Sequence, residues 1–209
     1  MLADFLTSCL DDTADLNNQI FALKGLFLLL QHYSLDCPQY YTKLYGLLLP
    51  QYKDSHATSL FSQSIDADSK SRFLRLLDLS LRAPTLPSKM VASYIKRLAR
   101  LIVSHGVVHA PNDIMFVIGL IVNLIKRHPR CLRLIHRKKT SLSIGIQLST
   151  DPYLQNESDP LQTLALKSSL WELEILMRTH YDQRIRDFCK ILKTDLVGRS
   201  NFIKVDDFA

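Results

Sequence analysis

Between Ile114 and Thr150 the sequence has no aspartate or glutamate. It carries Lys126, Arg127, Arg130, Arg133, Arg137, Lys138 and Lys139 there, with His128 and His136 among them. Acids and bases are interspersed on an ordinary surface, so seven cations without an acid are informative. Clustered Lys and Arg release condensed counterions when they meet a phosphate backbone, and the gain does not depend on base sequence. The same cations suit an acidic protein segment, a nuclear import signal or a plain solvated face. No aromatic ladder accompanies them, which fits poorly with modules that stack single-stranded bases. A second basic stripe lies on the helix predicted over Ser88–Ser104. Lys89, Ser93, Lys96, Arg97, Arg100 and Ser104 share its polar side, while Val91, Ile95, Leu98 and Ile102 face inward. Four cations and no acid read either as a solvated face or as a face kept for phosphates. Lys96, Arg97 and Arg100 therefore join the longer run as candidate contacts to RNA or to an acidic partner.

Catalysis finds little support. There are six glycines, and none forms a G-x-G-x-x-G, a Walker loop or a nucleophile elbow. His105 and His109 have the i, i+4 spacing of a ligand pair, but Gly106 marks a helix end between them and no carboxylate stands nearby. Asp11 and Asp12 read as turn residues. Cys9, Cys37, Cys131 and Cys189 are too far apart for a zinc half-site and read as reduced, buried thiols of an intracellular protein. No metal, cofactor, small-molecule substrate or enzymatic activity is expected.

The elements that carry these residues are helical. The chain has 209 residues, 47% of them apolar, with a net charge of +6, enough for a sizeable core in one domain or one elongated array. The apolar runs Ile20–Leu30 and Ile114–Ile125 are shorter than a membrane span and read as inner helices. No secretory signal opens the chain. Met1–Leu10 reads as a short helix with nothing before it to pack on, as if an N-terminal portion were missing. Helices follow at Leu16–Tyr33, from Asp36–Cys37–Pro38 to Leu48 with Asp36 as cap, and from Asp68 or Ser69 to Arg82. Gln51–Ser69 reads as a loop and Ala83–Pro87 as a break. Beyond Ser88–Ser104 come Pro111–Arg127, a short basic helix at Arg130–Arg137, an irregular stretch with an extended piece at Leu142–Leu148, and a closing helix at Tyr181–Thr194.

The central element is predicted as one helix from Asp159 to His180, with Asp159 as cap and Pro160 in its first turn. Leu166, Leu170, Leu173 and Met177 share one side, and Leu161, Leu164, Trp171 and Ile175 the other. Two apolar stripes imply a helix sandwiched between neighbours, with Trp171 in the core. Seven or eight helices with short links give an all-α fold, an irregular solenoid of the HEAT or armadillo kind. Its expected extent is one domain over 1–196, followed by a flexible tail at 197–209.

The runs Asp151–Pro152–Tyr153, Asp159–Pro160, Ser168–Ser169–Leu170–Trp171–Glu172–Leu173 and His180–Tyr181 resemble the signature of the CCAAT-binding-factor domain of nucleolar ribosome-assembly proteins. Supporting runs are Ala3–Thr7, Leu23–Phe27, Phe73–Leu74, Ile95–Leu101 and Lys126–Pro129. The resemblance marks Asp159, Pro160, Ser169, Leu170, Trp171 and Leu173 as motif residues. It implies a non-catalytic helical scaffold of the nucleolus and nucleus, acting in small-subunit assembly within the small-subunit processome. It also implies a stable pairing with nucleolar protein 14, and leaves pre-rRNA contact through the basic run open beside a protein-only adaptor that docks an acidic peptide. A sequence-specific DNA-binding role finds no helix-turn-helix or zinc pattern. The family's His–Tyr–His–Pro is His180–Tyr181–Asp182–Gln183 here, and its acidic linker is diluted between Asp151 and Asp159.

Overall fold

Helical periodicity sets nearly every element. The computed structural model describes residues 2–11, 16–33, 37, 39–48, 51–53, 56–58, 67–103, 110–136, 151–194, 196 and 201–208. In chain order these form α1 (Leu2–Asp11), α2 (Leu16–Tyr33), α3 (Tyr40–Gly46), β1 (Gln51–Lys53), β2 (His56–Thr58), α4 (Ala67–Ser80), α5 (Ser88–Val103), α6 (Pro111–Arg127), α7 (Trp171–Thr179) and α8 (Gln183–Cys189). Short 3-10 turns occupy Pro129–Leu134, Ala165–Lys167, Lys190–Lys193 and Val205–Phe208. The fold is all-α apart from the three-residue antiparallel pair β1–β2, in which Tyr52 faces Ala57. That pair falls inside the stretch expected to be a loop. No helix among the described residues is long and apolar enough to cross a membrane. The chain divides into two compact units, one drawn from Met1–Ala83 and the other from Pro84–His105 with His109–Ala209. The division coincides with the break read at Ala83–Pro87.

In the first unit α1 lies on α2, and α2 packs on α3 and α4. A Cβ at Gly25 would stand 3.1 Å from Leu6 Cδ1, so the bare glycine is what lets α1 settle that close. Leu23, Leu26, Leu44, Tyr45, Phe73, Leu77 and Leu81 are buried together. The hydroxyl of buried Tyr40 is 2.7 Å from Ser80 Oγ, which satisfies both groups where water cannot reach. Asp36 and Pro38, like Asp12, lie outside the described residues.

In the second unit α5 and α6 form the centre. Pro111 begins α6 without losing a needed donor, and Lys126 and Arg127 sit in its last turn, where the helix dipole favours cations. Pro129 then ends it. Ile114, Phe116, Val117, Ile118, Leu120, Ile121, Val122, Leu124 and Ile125 are all buried, as an inner helix requires. Part of that covering comes from residues 201–208, within the stretch expected as a tail. Asn123 Nδ2 donates to Ile203 O at 2.8 Å, and Ile203 N donates back to Asn123 Oδ1 at 2.9 Å. A Cβ at Gly119 would come within 3.1 Å of Val205 Cγ1, so the glycine opens the groove in which 201–208 rests.

Two further expectations change. The predicted short helix at Arg130–Arg137 is a 3-10 turn over Pro129–Leu134. The single helix predicted from Asp159 to His180 is broken. Only Trp171–Thr179 is α-helical, and Asp159–Leu170 is a turn-rich segment. Helix α7 is one-sided, with Leu173 and Leu176 buried, while Ile175, Leu161 and Leu164 are exposed. It packs on α5 and α8 with its buried side and leaves the other side open, so it lacks the second apolar face expected of it. Asp182 caps α8 by accepting from Arg184 N at 2.8 Å. The extended piece expected at Leu142–Leu148 lies outside the described residues.

Candidate functional site

The segment 151–170 folds as it does because short polar side chains capture nearby amides. Asp151 Oδ1 accepts from Tyr153 N, Asp159 Oδ1 from Leu161 N at 2.9 Å, and Thr163 Oγ1 from Ala165 N. Such bonds offer the backbone an alternative to the helical ladder. Asp159 thus closes a turn instead of capping a long helix. Leu164 sits at φ 58°, a left-handed conformation that halts any helix propagating from Pro160. Leu154 N donates to Thr163 O at 2.9 Å and closes the loop, and Leu170 N donates to Leu134 O at 2.9 Å, stapling it to the 3-10 turn after α6.

This loop covers the stripe of α5 that the sequence presents as a cationic face. Lys96 is 0% exposed and Arg97 is 3% exposed, so neither lies on a solvated or phosphate-facing surface. The cations are turned inward because the loop supplies their counter-charges and carbonyls. Lys96 Nζ is 2.6 Å from Glu172 Oε1, 2.9 Å from Asp151 Oδ2 and 2.6 Å from Ser169 O. Arg100 pairs with Asp151 Oδ2 at 2.6 Å and with Glu172 Oε1 at 2.5 Å. Arg97 donates to the carbonyls of Gln155 and Glu157 at 3.0 and 2.7 Å. Ser93 Oγ reaches Pro160 O and Thr163 Oγ1.

Trp171 closes the cluster. Its indole N–H donates to Asp151 Oδ2 at 2.8 Å, and the Arg100 guanidinium stands 4.6 Å from the ring centroid, a cation–π stack. The indole is half-buried at the head of α7, not deep in the core, while Leu170 and Leu173 of the same motif are buried. Asp151 and Glu172 match the charges of Lys96 and Arg100, while Arg97 is turned to the loop's carbonyls. Burial alone would raise the Asp151 carboxyl. Hydrogen bonds from Lys96, Ser168, Trp171 and Arg100 outweigh it and hold Asp151 well below the usual carboxylate range. Burial dominates at Glu172 and pushes it upward despite Lys96 and Arg100, in keeping with an Oε2 that lacks a hydrogen-bond partner among the described residues.

The longer basic run is distributed differently. Lys126 is half-buried and donates to Asn201 O at 2.6 Å, and the Arg127 guanidinium lies 5.1 Å from the Phe202 ring centroid. Arg130 and Arg133 are exposed, with no ion pair among the described residues. Arg137, Lys138 and Lys139 lie outside the described residues, as do His105 and His109. Next to Arg133 an open pocket of about 410 Å³ is lined by Leu132, Arg133, His136, Leu166 and Lys167. All four cysteines are free, and burial pushes the Cys131 and Cys189 thiols up to about 12, which makes them inert at neutral pH. Among the described residues no group of three His, Cys, Asp or Glu side chains could hold a metal ion.

Sequence reasoning did not assign roles to Asp151 and Glu172 as partners of α5, nor to Ser168, which holds Asp151. Those pairs span 51 to 76 residues, a separation that no local spacing encodes. One signal was available: a cation-only stripe on one helix, and carboxylates set inside an otherwise apolar signature run.

Comparison with known proteins follows the same ground. Residues 19–189 match the CBF/Mak21 family. The chain is 38% identical over 196 residues to the nucleolar complex protein 4 homolog of Homo sapiens, covering 94% of this chain and 33% of that protein. It is 37% identical over 186 residues to nucleolar complex protein 4 homolog A of Xenopus laevis, with 89% and 31% covered. The homolog from Gallus gallus is 36% identical over 197 residues, with 94% and 34% covered. The chain thus spans about a third of the length of these relatives.

Proposed function

The chain belongs to the CBF/Mak21 family, and we propose that it is a non-enzymatic helical scaffold in the assembly of the small ribosomal subunit. In this reading it works in the nucleolus, within the small-subunit processome. It holds a nucleolar protein 14-like partner and other pre-ribosomal factors, and it touches pre-rRNA through Arg130, Arg133, Arg137, Lys138 and Lys139, with Lys126 and Arg127 at the border. The observation that carries the reading is the identity of 36–38% to nucleolar complex protein 4 homologs over 89–94% of the chain. The acid-free stretch from Ile114 to Thr150 supports the RNA part, and this reading leaves out Lys96, Arg97 and Arg100, which are turned to acids and carbonyls of the loop. The two units are read as one domain over 1–196, an irregular HEAT- or armadillo-like array. Within each unit, contacts between helices adjacent in sequence, α1 with α2 in the first and α5 with α6 and α7 with α8 in the second, support helix pairing of that kind. A single cooperative melt across both units is its test.

The RNA part is tested by changing Lys126, Arg127, Arg130, Arg133, Lys138 and Lys139 together to Gln. Affinity for RNA and its salt dependence fall while helicity by circular dichroism stays constant. Unchanged binding removes RNA from the proposal and leaves the scaffold as a protein-only adaptor for an acidic peptide.

A further inference from the structure

The pocket beside Arg133 is formed by two stretches far apart in sequence. The 3-10 turn Pro129–Leu134 and its exit supply Leu132, Arg133 and His136, and the turn Ala165–Lys167 supplies Leu166 and Lys167. They meet because Leu170 N donates to Leu134 O, and because the α5 stripe pins 151–170 in place. Arg133, His136 and Lys167 are all exposed. No carboxylate lines the pocket, and none of these three side chains is ion-paired among the described residues. Three basic groups and two leucines lining one open cavity are complementary to an anion that carries an apolar neighbour.

We propose that this pocket seats a backbone phosphate of RNA between Arg133, His136 and Lys167, with the adjoining sugar over Leu132 and Leu166. The proposal rests on the RNA reading above and names one place where it is enacted. A phosphodiester chain is favoured over a single phosphorylated side chain because the pocket continues an acid-free basic run from Lys126 to Lys139, which offers charge for several phosphates in succession. Lys167 is the informative residue. It lies outside that run, on a different segment, and nothing in its local sequence marks it as a contact.

The test is equilibrium binding of the intact chain to a short fluorescein-labelled single-stranded RNA across a salt series. Losing one phosphate contact removes about 0.7 from the slope of log affinity against log salt, and about 5-fold of affinity at about 0.1 M salt. Lys167→Gln gives that loss, Lys167→Arg restores the slope, and both variants keep the parent's helicity because the side chain is exposed. If Lys167→Gln binds like the parent while the sixfold glutamine variant is weakened, the pocket proposal falls and the RNA reading stands. If neither variant differs from the parent, both fall. If Lys167→Gln weakens a phosphoserine peptide and not the RNA, the occupant is a phosphopeptide and the proposal is overturned.

Discussion

Replacing Lys96 with Met tests whether the α5 cations hold the fold or face a ligand. The methionine keeps most of the volume and removes the ammonium. Lys96 is 0% exposed and meets Glu172, Asp151 and Ser169 O at 2.6, 2.9 and 2.6 Å. Its loss strands Glu172, also 0% exposed, with only the Arg100 contact. Removing one partner of a buried ion pair costs about 3–5 kcal/mol. Arg100 remains to pair with both acids, so the lower end applies, about 3 kcal/mol. For a chain of this size each kcal/mol lowers Tm by about 2–4 °C, which gives a fall of about 6–12 °C. Calorimetry measures it, and the single tryptophan, Trp171, reports the same cluster by fluorescence. The deficit also depends on pH. Without Lys96, burial raises Glu172 further, and a raised carboxyl contributes stability below its unfolded pKa that is lost as pH rises through the folded value. The melting deficit therefore grows as pH rises above the ordinary carboxylate range. The double variant Lys96→Met with Glu172→Leu loses less than the sum of the two singles, with a coupling of about 0.5–3 kcal/mol. A Lys96→Met protein that melts within about 1 °C of the parent and binds RNA with a shallower salt slope refutes the reasoning, because it places Lys96 on a phosphate-facing surface.

Further outcomes follow from the same contacts. Glu172→Gln removes the raised carboxyl, so its Tm relative to the parent improves as pH rises above the ordinary carboxylate range; a difference independent of pH contradicts the assignment. Asp151, held low by four hydrogen-bond donors, contributes stability present above about pH 4 and lost as pH falls through its folded value. Asp151→Asn is therefore less stable than the parent at pH 7, and the gap closes in acid. Asn123→Ala removes both bonds to Ile203, worth about 1–3 kcal/mol together. Amide exchange at Ile203 then speeds up by about 5- to 150-fold while α6 stays protected. Trp171→Phe keeps the ring and loses the bond to Asp151, lowering stability by about 1–2 kcal/mol in thermal melts.

Local physics made much of the fold legible. The inner helix α6 was readable because Pro111 opens it, Pro129 closes it and no charge interrupts Ile114–Ile125. The amphipathic period of α5 gave its span within a residue. The 159–180 stretch was misread for an equally physical reason. Leu161, Leu164, Trp171 and Ile175 satisfy a helical period, but Asp159 and Thr163 divert the backbone into turns, and Leu164 adopts a left-handed conformation that periodicity cannot reveal. The charged stripe of α5 was read in isolation as outward, since its acids lie 51 to 76 residues away. Docking of 201–208 was hidden for a similar reason, because it depends on the bare Cα of Gly119 and the amide of Asn123 far upstream. The signature run around Trp171 carried the family without disclosing that its polar members, Ser168 and Glu172, serve the packing of the loop on α5.

The central claim, a scaffold that meets both a nucleolar protein partner and pre-rRNA, is tested most directly by purifying the tagged protein from cell extract with and without nuclease. The expected result is that pre-ribosomal RNA and a nucleolar protein partner come down together, that the partner survives nuclease, and that the sixfold glutamine variant retains the partner but loses the RNA. Recovery of neither a pre-ribosomal RNA nor a nucleolar protein contradicts the claim.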